Sequence, residues 1–451
     1  MAEFLGTALD PRSEEARLKA LAAEILDEAR KQGADACEVG ISSDAGLSAS
    51  VRMGDVETIE FNRDQGFGIT VYLGKKKGSA STSDSSHNAI KETVKAACDI
   101  ASYASEDPCA GLADVDQMAT DLEDLDLYHP WGINAEEAIS MALTCEDAGR
   151  AYSDKIINSE GASVSSHAGC RVYGNSLGFI GSDVSSNHSL HAVLIGVQGE
   201  EMQRDYWYTV GRDAHDLEEA ASVGRTAAER TIARLGGRKV ATGEVPVLFA
   251  PEMASGLIGH FLGAISGGSL YRQASFLIDH LGKQLFPDWM HIHEMPRLKK
   301  GMGSACFDND GLATMAKDFI GEGVLQNYLL GIYSARKLGM QSTGNSGGVY
   351  NLFVDSNAGG KEDLLKQMGT GLLVTELMGH GVNTVTGDYS RGAGGFWVEN
   401  GEIQFPVSEV TIAGGLKDIF QNIVAVGNDV DRRGNIQTGS ILVESMKLAG
   451  E

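Results

Sequence analysis

The sequence predicts an α+β protein of two domains: residues 1–237, with helices packed on a mixed or antiparallel sheet, and residues 238–451, mostly β with a few helices. Three observations carry this. Helical and alternating apolar periods follow one another as helix, strands, helix, an order that does not build parallel βαβ units. The pair Gly236-Gly237 and the polar stretch RKVATGE interrupt both periods and mark the boundary. Beyond it, short apolar runs alternate with tight turns that draw on the 57 glycines of a 451-residue chain.

A helix opens after Pro11, with Leu18, Leu21, Ala22, Ile25, Leu26 and Ala29 on one stripe and Gly33 placed to stop it. The strands CEVGISS, LSASVRMGDVETIEF and FGITVYLGKKKGSASTSD follow, with Gly54-Asp55 or Gly74 at the turns. A second helix follows from Ser86, with Ile90, Val94, Ala97 and Ala101 inward. Residues 114–126 are acidic and read as an exposed connection. A helix from about Ala135 to Ser153 precedes a strand meander, which closes into a helix from Asp216 to Leu235. This second pass repeats the order of the first, and NRDQGFGITVY echoes GNSLGFIGSDV. That is either a weak internal repeat or a chance similarity between glycine-rich hairpins. After the boundary, VPVLFAP is a buried strand leading into the apolar helix around GLIGHFLGAISGG.

Composition narrows the function. Acidic residues number 62 against 37 basic, a formal charge of -25, which repels a phosphate backbone and an anionic membrane surface alike. No nucleic-acid partner and no membrane partner are expected, and Lys75 to Lys77 read as a solvated loop. The six cysteines form no C-x-x-C pair, so neither a zinc knuckle nor a disulfide framework is indicated, and a reducing cytoplasm fits. The N-terminus has no basic and apolar leader, and no run of about 18 apolar residues occurs, so neither export nor membrane spanning is expected. No glycine-rich dinucleotide fingerprint stands between a strand and a helix.

Four ordered motifs cover most of the chain after Pro251: SGLIGHFLGAISGGSLYRQASFLIDHLGKQLFP, LLGIYSARKLGMQSTGNSGG, TELMGHGVNTVTGDYSRGAGGFWVENGEI and AGGLKDIFQNIVAVGNDVDRRGNIQTGSILVESMKLAG. In them the chain resembles the PmbA branch, also called TldE, of the TldD/PmbA metallopeptidase family. The N-terminal half agrees more loosely. The resemblance implies a two-domain α+β protein of the bacterial cytoplasm. It implies a TldD-type sister subunit whose HExxxH helix and later cysteine hold zinc, the two forming a heterodimeric peptidase for unfolded, extended peptides. Maturation of a peptide antibiotic and degradation of an antitoxin are the associated roles. An older family name, modulator of DNA gyrase, disagrees with the negative charge and reads as an indirect effect. In isolation a homodimer is expected, since a surface made for a homologous partner is partly self-complementary.

Laid on the TldD helix, this chain has Gly259 and Ala264 where the histidines belong and His260 where the glutamate belongs. Asn435 and Ile436 stand near the position of the cysteine. A catalytic zinc needs three good ligands and a nearby carboxylate, and asparagine is a poor ligand, so no cofactor is expected in this chain and zinc is expected in the partner. His260 then reads as a helix histidine satisfied by a carbonyl.

Two alternatives stay open. His291 and His293 in DWMHIHEMPRL are two apart, which on a strand puts both on one face about 6.6 Å apart, with Glu294 pointing away. With His260 or His280 as a third ligand they would make an autonomous metallopeptidase. The other alternative is a non-enzymatic peptide-binding protein. Asp388 and Arg391 on a glycine-rich loop, with Tyr389 and Trp397 close by, are candidates to hold an extended peptide, or else form a tight turn with an internal ion pair. Asn345 in STGNSGG lines the cleft or only shapes a turn. Ser266, Ser269 and Ser390 lack a nucleophile-elbow setting, and His380 reads as a turn residue with Asp388 as its possible pair.

Overall fold

The computed structural model describes residues 11–450. Residues 1–10, on which the reading of no export leader partly rests, lie outside the described residues. Helix α1 (Pro11–Lys31) buries the expected stripe, and Gly33, at φ +89, turns the chain out of it. Strands β1 (Ala36–Arg52), β2 (Asp55–Leu73) and β3 (Lys76–Thr82) lead to α2 (His87–Tyr103), whose N-terminus is capped by the Ser86 side chain. The two strands expected before Gly54 are one. Residues 38–51 of β1 pair with neighbours on both sides, so the ladder carries the chain straight through Asp44 to Gly46.

Helix α3 (Ala135–Arg150), strands β4 (Ile156–Asn175), β5 (Ile180–Gln198) and β6 (Glu201–Gly211), and helix α4 (Ala220–Ala233) make the second pass. Helix α4 starts later than the sequence suggested, because Ala214–Asp216 forms a separate 3-10 turn capped by Asp213. The acidic segment 114–126 is not simply exposed: Met118, Ala119 and Leu125 are buried against Phe307 and Leu312.

The six strands form one antiparallel sheet in the order β3-β2-β1-β4-β5-β6. The two helix-strands-helix passes thus meet at β1 and β4. The quoted echo does not mark equivalent places in them, since Asn62 to Tyr72 lies in β2 while Gly174 to Val184 spans the β4/β5 turn. Cys37, Val39, Ile41, Leu47, Ala49 and Val51 share one face of β1 by the period of two. They are buried in two clusters, the first under α1 and α2 and the second under α3 and α4. Strand β3 pairs only Phe67 to Leu73, so Asp55 to Gly66 of β2 has no outer strand among the described residues. Val56, Ile59 and Phe61, in register with the buried Val51, Ala49 and Leu47, stay 48%, 45% and 53% exposed.

The C-terminal half is sheet-rich, as expected. Its elements are β7 (Gly243–Phe249), α5 (Pro251–Ala264), α6 (Gly267–Tyr271), β8 (Ile292–Glu294), β9 (Lys317–Gly321), β10 (Val324–Leu325), α7 (Ile332–Leu338), β11 (Leu352–Val354), α8 (Lys361–Met368), β12 (Gly371–Met378), β13 (Val382–Asn383), β14 (Asp388–Glu399), β15 (Glu402–Gly415), α9 (Leu416–Gln421), β16 (Ile423–Val426), β17 (Ile436–Gln437) and β18 (Ile441–Ala449). One sheet runs β12-β7-β18-β15-β14-β13, and β12 also pairs with β14, which closes the path on itself. A smaller sheet runs β10-β9-β8-β11-β17. Helix α5 packs with Val247, Phe249, Leu372 and Val374, and α8 packs with Leu248, Leu373 and Leu442. Burial on both faces is why VPVLF is apolar without alternation. No helix among the described residues is long and apolar enough to cross a membrane.

The halves are joined by packing and by charge. Phe179 meets Phe307 edge to face at 5.3 Å between centroids, and the Arg433 guanidinium lies 4.1 Å from the Trp207 ring centre and 4.3 Å from that of Tyr208.

Candidate functional site

Strand β7 runs straight into α5, with Pro251 in the first helical turn, where its missing N–H costs nothing. Leu257, Ile258, Phe261 and Leu262 anchor the helix in the core. Around the opposite side, Gly256, Gly259 and Gly263 have open space where a side chain would begin. Ala264 is fully buried. Strand β17, which begins at Ile436, packs beside α5. Asn435 donates its amide to the Val349 carbonyl at 3.1 Å, and Ile436 is in the ladder opposite Leu352.

His260 lies edge-on to Tyr389, with Arg391 close enough to act on its charge. The expected carbonyl partner is missing: His260 Nε2, Tyr389 OH and Arg391 Nε are all buried without a hydrogen bond. The Tyr389 ring occupies the place beside the imidazole. Burial, and secondarily the Arg391 charge, push the His260 pKa down, and burial pushes Tyr389 up to about 12. These residues do not fit a zinc ion. One aligned position has no side chain, another is sealed in apolar packing, the tail asparagine amide is occupied, and the lone imidazole faces a cation.

The peptide-holding candidates separate. By the period of two, Tyr389 and Arg391 share one face of β14, while Asp388 points to the other, is exposed, and accepts from the Thr386 hydroxyl. Among the described residues, neither Arg391 nor His380 forms an ion pair with Asp388. Trp397 Nε1 donates to Glu399 at 3.0 Å. Asn345 turns inward: it is 4% exposed, its Nδ2 donates to both Glu294 carboxylate oxygens at 3.1 Å, and its Oδ1 accepts from Lys317 at 3.0 Å. It therefore secures a buried Glu294–Lys317 pair and does not line a cleft. Ser266 caps α6 by accepting from the Ser269 N–H.

His291 and His293 do share a face, with ring centroids 4.7 Å apart, and Glu294 points away. Their third partner is not a histidine. Asp355, which follows β11, joins them, and this is the grouping with metal-ligand spacing among the described residues. His280 is elsewhere, with Nδ1 at 2.7 Å from the Ile278 carbonyl and Nε2 at 3.2 Å from Lys417.

Sequence reasoning missed a cavity of about 1080 Å³ between the helix-free face of the six-stranded sheet and the segment around Phe307 to Asp310. Its floor includes Gly40, Gly66 and Gly68, each with room for a Cβ, and its walls carry Glu38, Asp183, Asp308 and Arg171. Burial raises the pKa of Glu38, against the pull of hydroxyl donation from Tyr72 and Tyr173. Burial also raises Asp183 and Asp308 to about 6. The signal for this surface was the alternation of Glu38, Gly40 and Ser42 along β1, polar or small residues on the face opposite the apolar one. None of His260, Tyr389 or Arg391 lines this cavity.

Three domain descriptions match the chain in order: PmbA/TldA metallopeptidase domain 1 over residues 37–101, the central domain over 128–235 and the C-terminal domain over 242–450. With the fold, they define the class, a metallopeptidase-type α+β architecture. The chain is 52% identical to the metalloprotease PmbA of Escherichia coli O157:H7, over 92% of this chain and 93% of that protein. It is 50% identical to a metalloprotease PmbA homolog of Haemophilus influenzae, over 97% of each. A crystal structure from Bacteroides thetaiotaomicron, described as a modulator of DNA gyrase, superposes with a TM-score of 0.92 at 28% identity, covering 96% of this chain and 99% of that one. The chain belongs to the PmbA/TldD metallopeptidase family.

Proposed function

We propose that this chain is the subunit of a TldD/PmbA-type peptidase of the cytoplasm that carries no catalytic zinc on α5. It supplies cleft walls and an interface, while a TldD-type sister holds zinc and hydrolyses unfolded or extended peptides. The observation that carries this reading is α5, a helix kept in place beside the C-terminal tail but bearing Gly259, His260 and Ala264 at the ligand positions. A partner is supported by the unpaired stretch of β2, whose Val56, Ile59 and Phe61 continue a buried apolar face into solvent. Extended peptides are supported by the roomy cavity over a glycine floor.

A division after Gly237 belongs to the same reading. Glu201 accepts the Gly236 and Gly237 N–H groups from one side, and the Arg238 N–H already bonds to Pro406 on the other.

The test compares the purified chain, alone and with a TldD-type sister, for peptidase activity and metal content. Activity only in the mixture supports the proposal. Chelator-sensitive activity of the chain alone sinks it, and loss of that activity with His291 and His293 would favour an autonomous metallopeptidase. Capture of peptides without turnover even in the mixture would favour a peptide-binding protein instead.

A further inference from the structure

On the small sheet, His291 and His293 project from one face. Asp318 on β9 stands opposite His293, and Asp355 follows β11 beside His291. We infer that His291, His293 and Asp355 bind one divalent transition-metal ion of the zinc, cobalt or nickel type, with Asp318 as a positioning residue.

Each of the three ligands offers a donor atom, and these atoms all lie within 4.8 Å of one another. Donors sharing one ion at bonds of about 2.1 Å stand at most about 4.2 Å apart, so a small inward movement completes the site. His291 has the second partner that metal-bound histidines use. Its Nε2 lies 2.9 Å from Asp318 Oδ1 and its Nδ1 2.7 Å from Asp355 Oδ2, so in the absence of an ion both carboxylates can accept a ring hydrogen. An ion at Nδ1 replaces the hydrogen there, while Asp318 keeps the one on Nε2 and orients the ring.

His293 Nδ1 is sealed from solvent without a hydrogen bond, 3.5 Å from Asp355 Oδ1. The imidazole is held there between His291 and the Phe353 ring, whose centroid is 5.5 Å away. A shared cation is the ligand that would satisfy this nitrogen, the His291 nitrogen and the carboxylate together. Beneath it, Glu294 is buried against Lys317 at 2.9 Å, which fixes the strand that carries both histidines. Two imidazoles with one carboxylate select borderline metals over magnesium or calcium. The exposed rim leaves a coordination position for water.

The site is separate from α5 and does not rest on the proposed function. Metal bound here without peptidase activity leaves that function standing, and an active peptidase without metal here would overturn only the site.

The test uses the untagged full chain, stripped with a chelator and titrated with Co²⁺ while its visible absorption is followed, then with Zn²⁺ in competition. One equivalent per chain is expected, with Zn²⁺ displacing Co²⁺ and raising the melting midpoint. H293A and D355N should each weaken binding at least tenfold, and H291A with H293A should abolish it, while H87A, a surface control, changes nothing. D318N should keep the stoichiometry and weaken binding about 10- to 100-fold. Circular dichroism confirms that each variant is folded, and the exposed D355N substitution gives a second reading should a histidine variant be unstable. Failure to reach one equivalent, or binding undiminished in the double histidine variant, overturns the inference.

Discussion

His260 and Tyr389 meet edge to face, with ring centroids 5.9 Å apart and planes at 71°, and neither the imidazole Nε2 nor the phenol hydroxyl has a hydrogen-bond partner. Unmet buried polar atoms cost about 1–3 kcal/mol each. Where a catalytic helix would gather ligands, this one has gathered unmet polar atoms.

Replacing Tyr389 by Phe keeps the ring contact and removes one such atom. The variant is expected to be as stable as the parent or more stable, by up to about 1 kcal/mol in denaturant unfolding. A loss beyond 1 kcal/mol would show that the hydroxyl has a partner.

The two aligned histidine positions should respond differently to being restored. Gly259 has open space, so Gly259→His should leave stability within about 0.5 kcal/mol of the parent or raise it slightly through helix propensity. Ala264 is fully buried, so Ala264→His should cost about 3 kcal/mol or more by overpacking and by burying a polar ring. Melting curves of both single variants decide the matter; equal tolerance would contradict this account of the helix.

Asp183 makes stability fall with rising pH. Burial raises its pKa from 3.8 to about 6, against the opposing charges of Arg171 and Arg212, so the folded protein holds this proton longer than the unfolded chain does. The favourable contribution is complete below about 3.8 and is lost as pH rises through about 6. Asp183→Asn should therefore gain on the parent by roughly 1–3 kcal/mol between pH 4 and pH 7. Asp308, shifted the same way, leaves part of the slope in place. A stability difference between variant and parent that does not change with pH would refute the assignment.

Phe61→Lys should weaken association of the chain with itself or with a sister subunit while leaving unfolding stability within about 0.5 kcal/mol, as an exposed substitution does. Sedimentation velocity reads the first quantity and thermal unfolding the second. Unchanged association would remove β2 from the interface.

Arg433→Ala removes a guanidinium that sits over two rings of the N-terminal sheet and pairs with Asp431 at 2.9 Å. A loss of about 1–3 kcal/mol is expected. It should appear as unfolding that separates into two steps, visible by calorimetry.

Periodicity made much of this fold legible. The stripe of α1, the inward face of α2 and the shared face of His291 and His293 all follow from spacing along the chain. What escaped depends on pairing between distant segments. The β1 strand runs through Gly46 because β2 and β4 pair with it on either side, and β12 meets β14 only once the sheet has closed. Asp355 joins the histidine pair through the β8–β11 register, which no local pattern announces. Asn345 sits among glycines that suggest an open turn, and its inward direction is set by a buried carboxylate far back in sequence. The His260 environment likewise depends on a strand that arrives much later, so a satisfied histidine was the natural expectation and the structure corrects it.

The bare ribbon of β2 precedes the C-terminal half along the chain, and so leaves the ribosome before that half has been made. Like strands on neighbouring nascent chains can zip onto such a ribbon, so clumping competes with maturation while the chain is still being made. Production of this protein is therefore sensitive to dosage, and overproduction should lose yield to aggregates seeded at this hairpin.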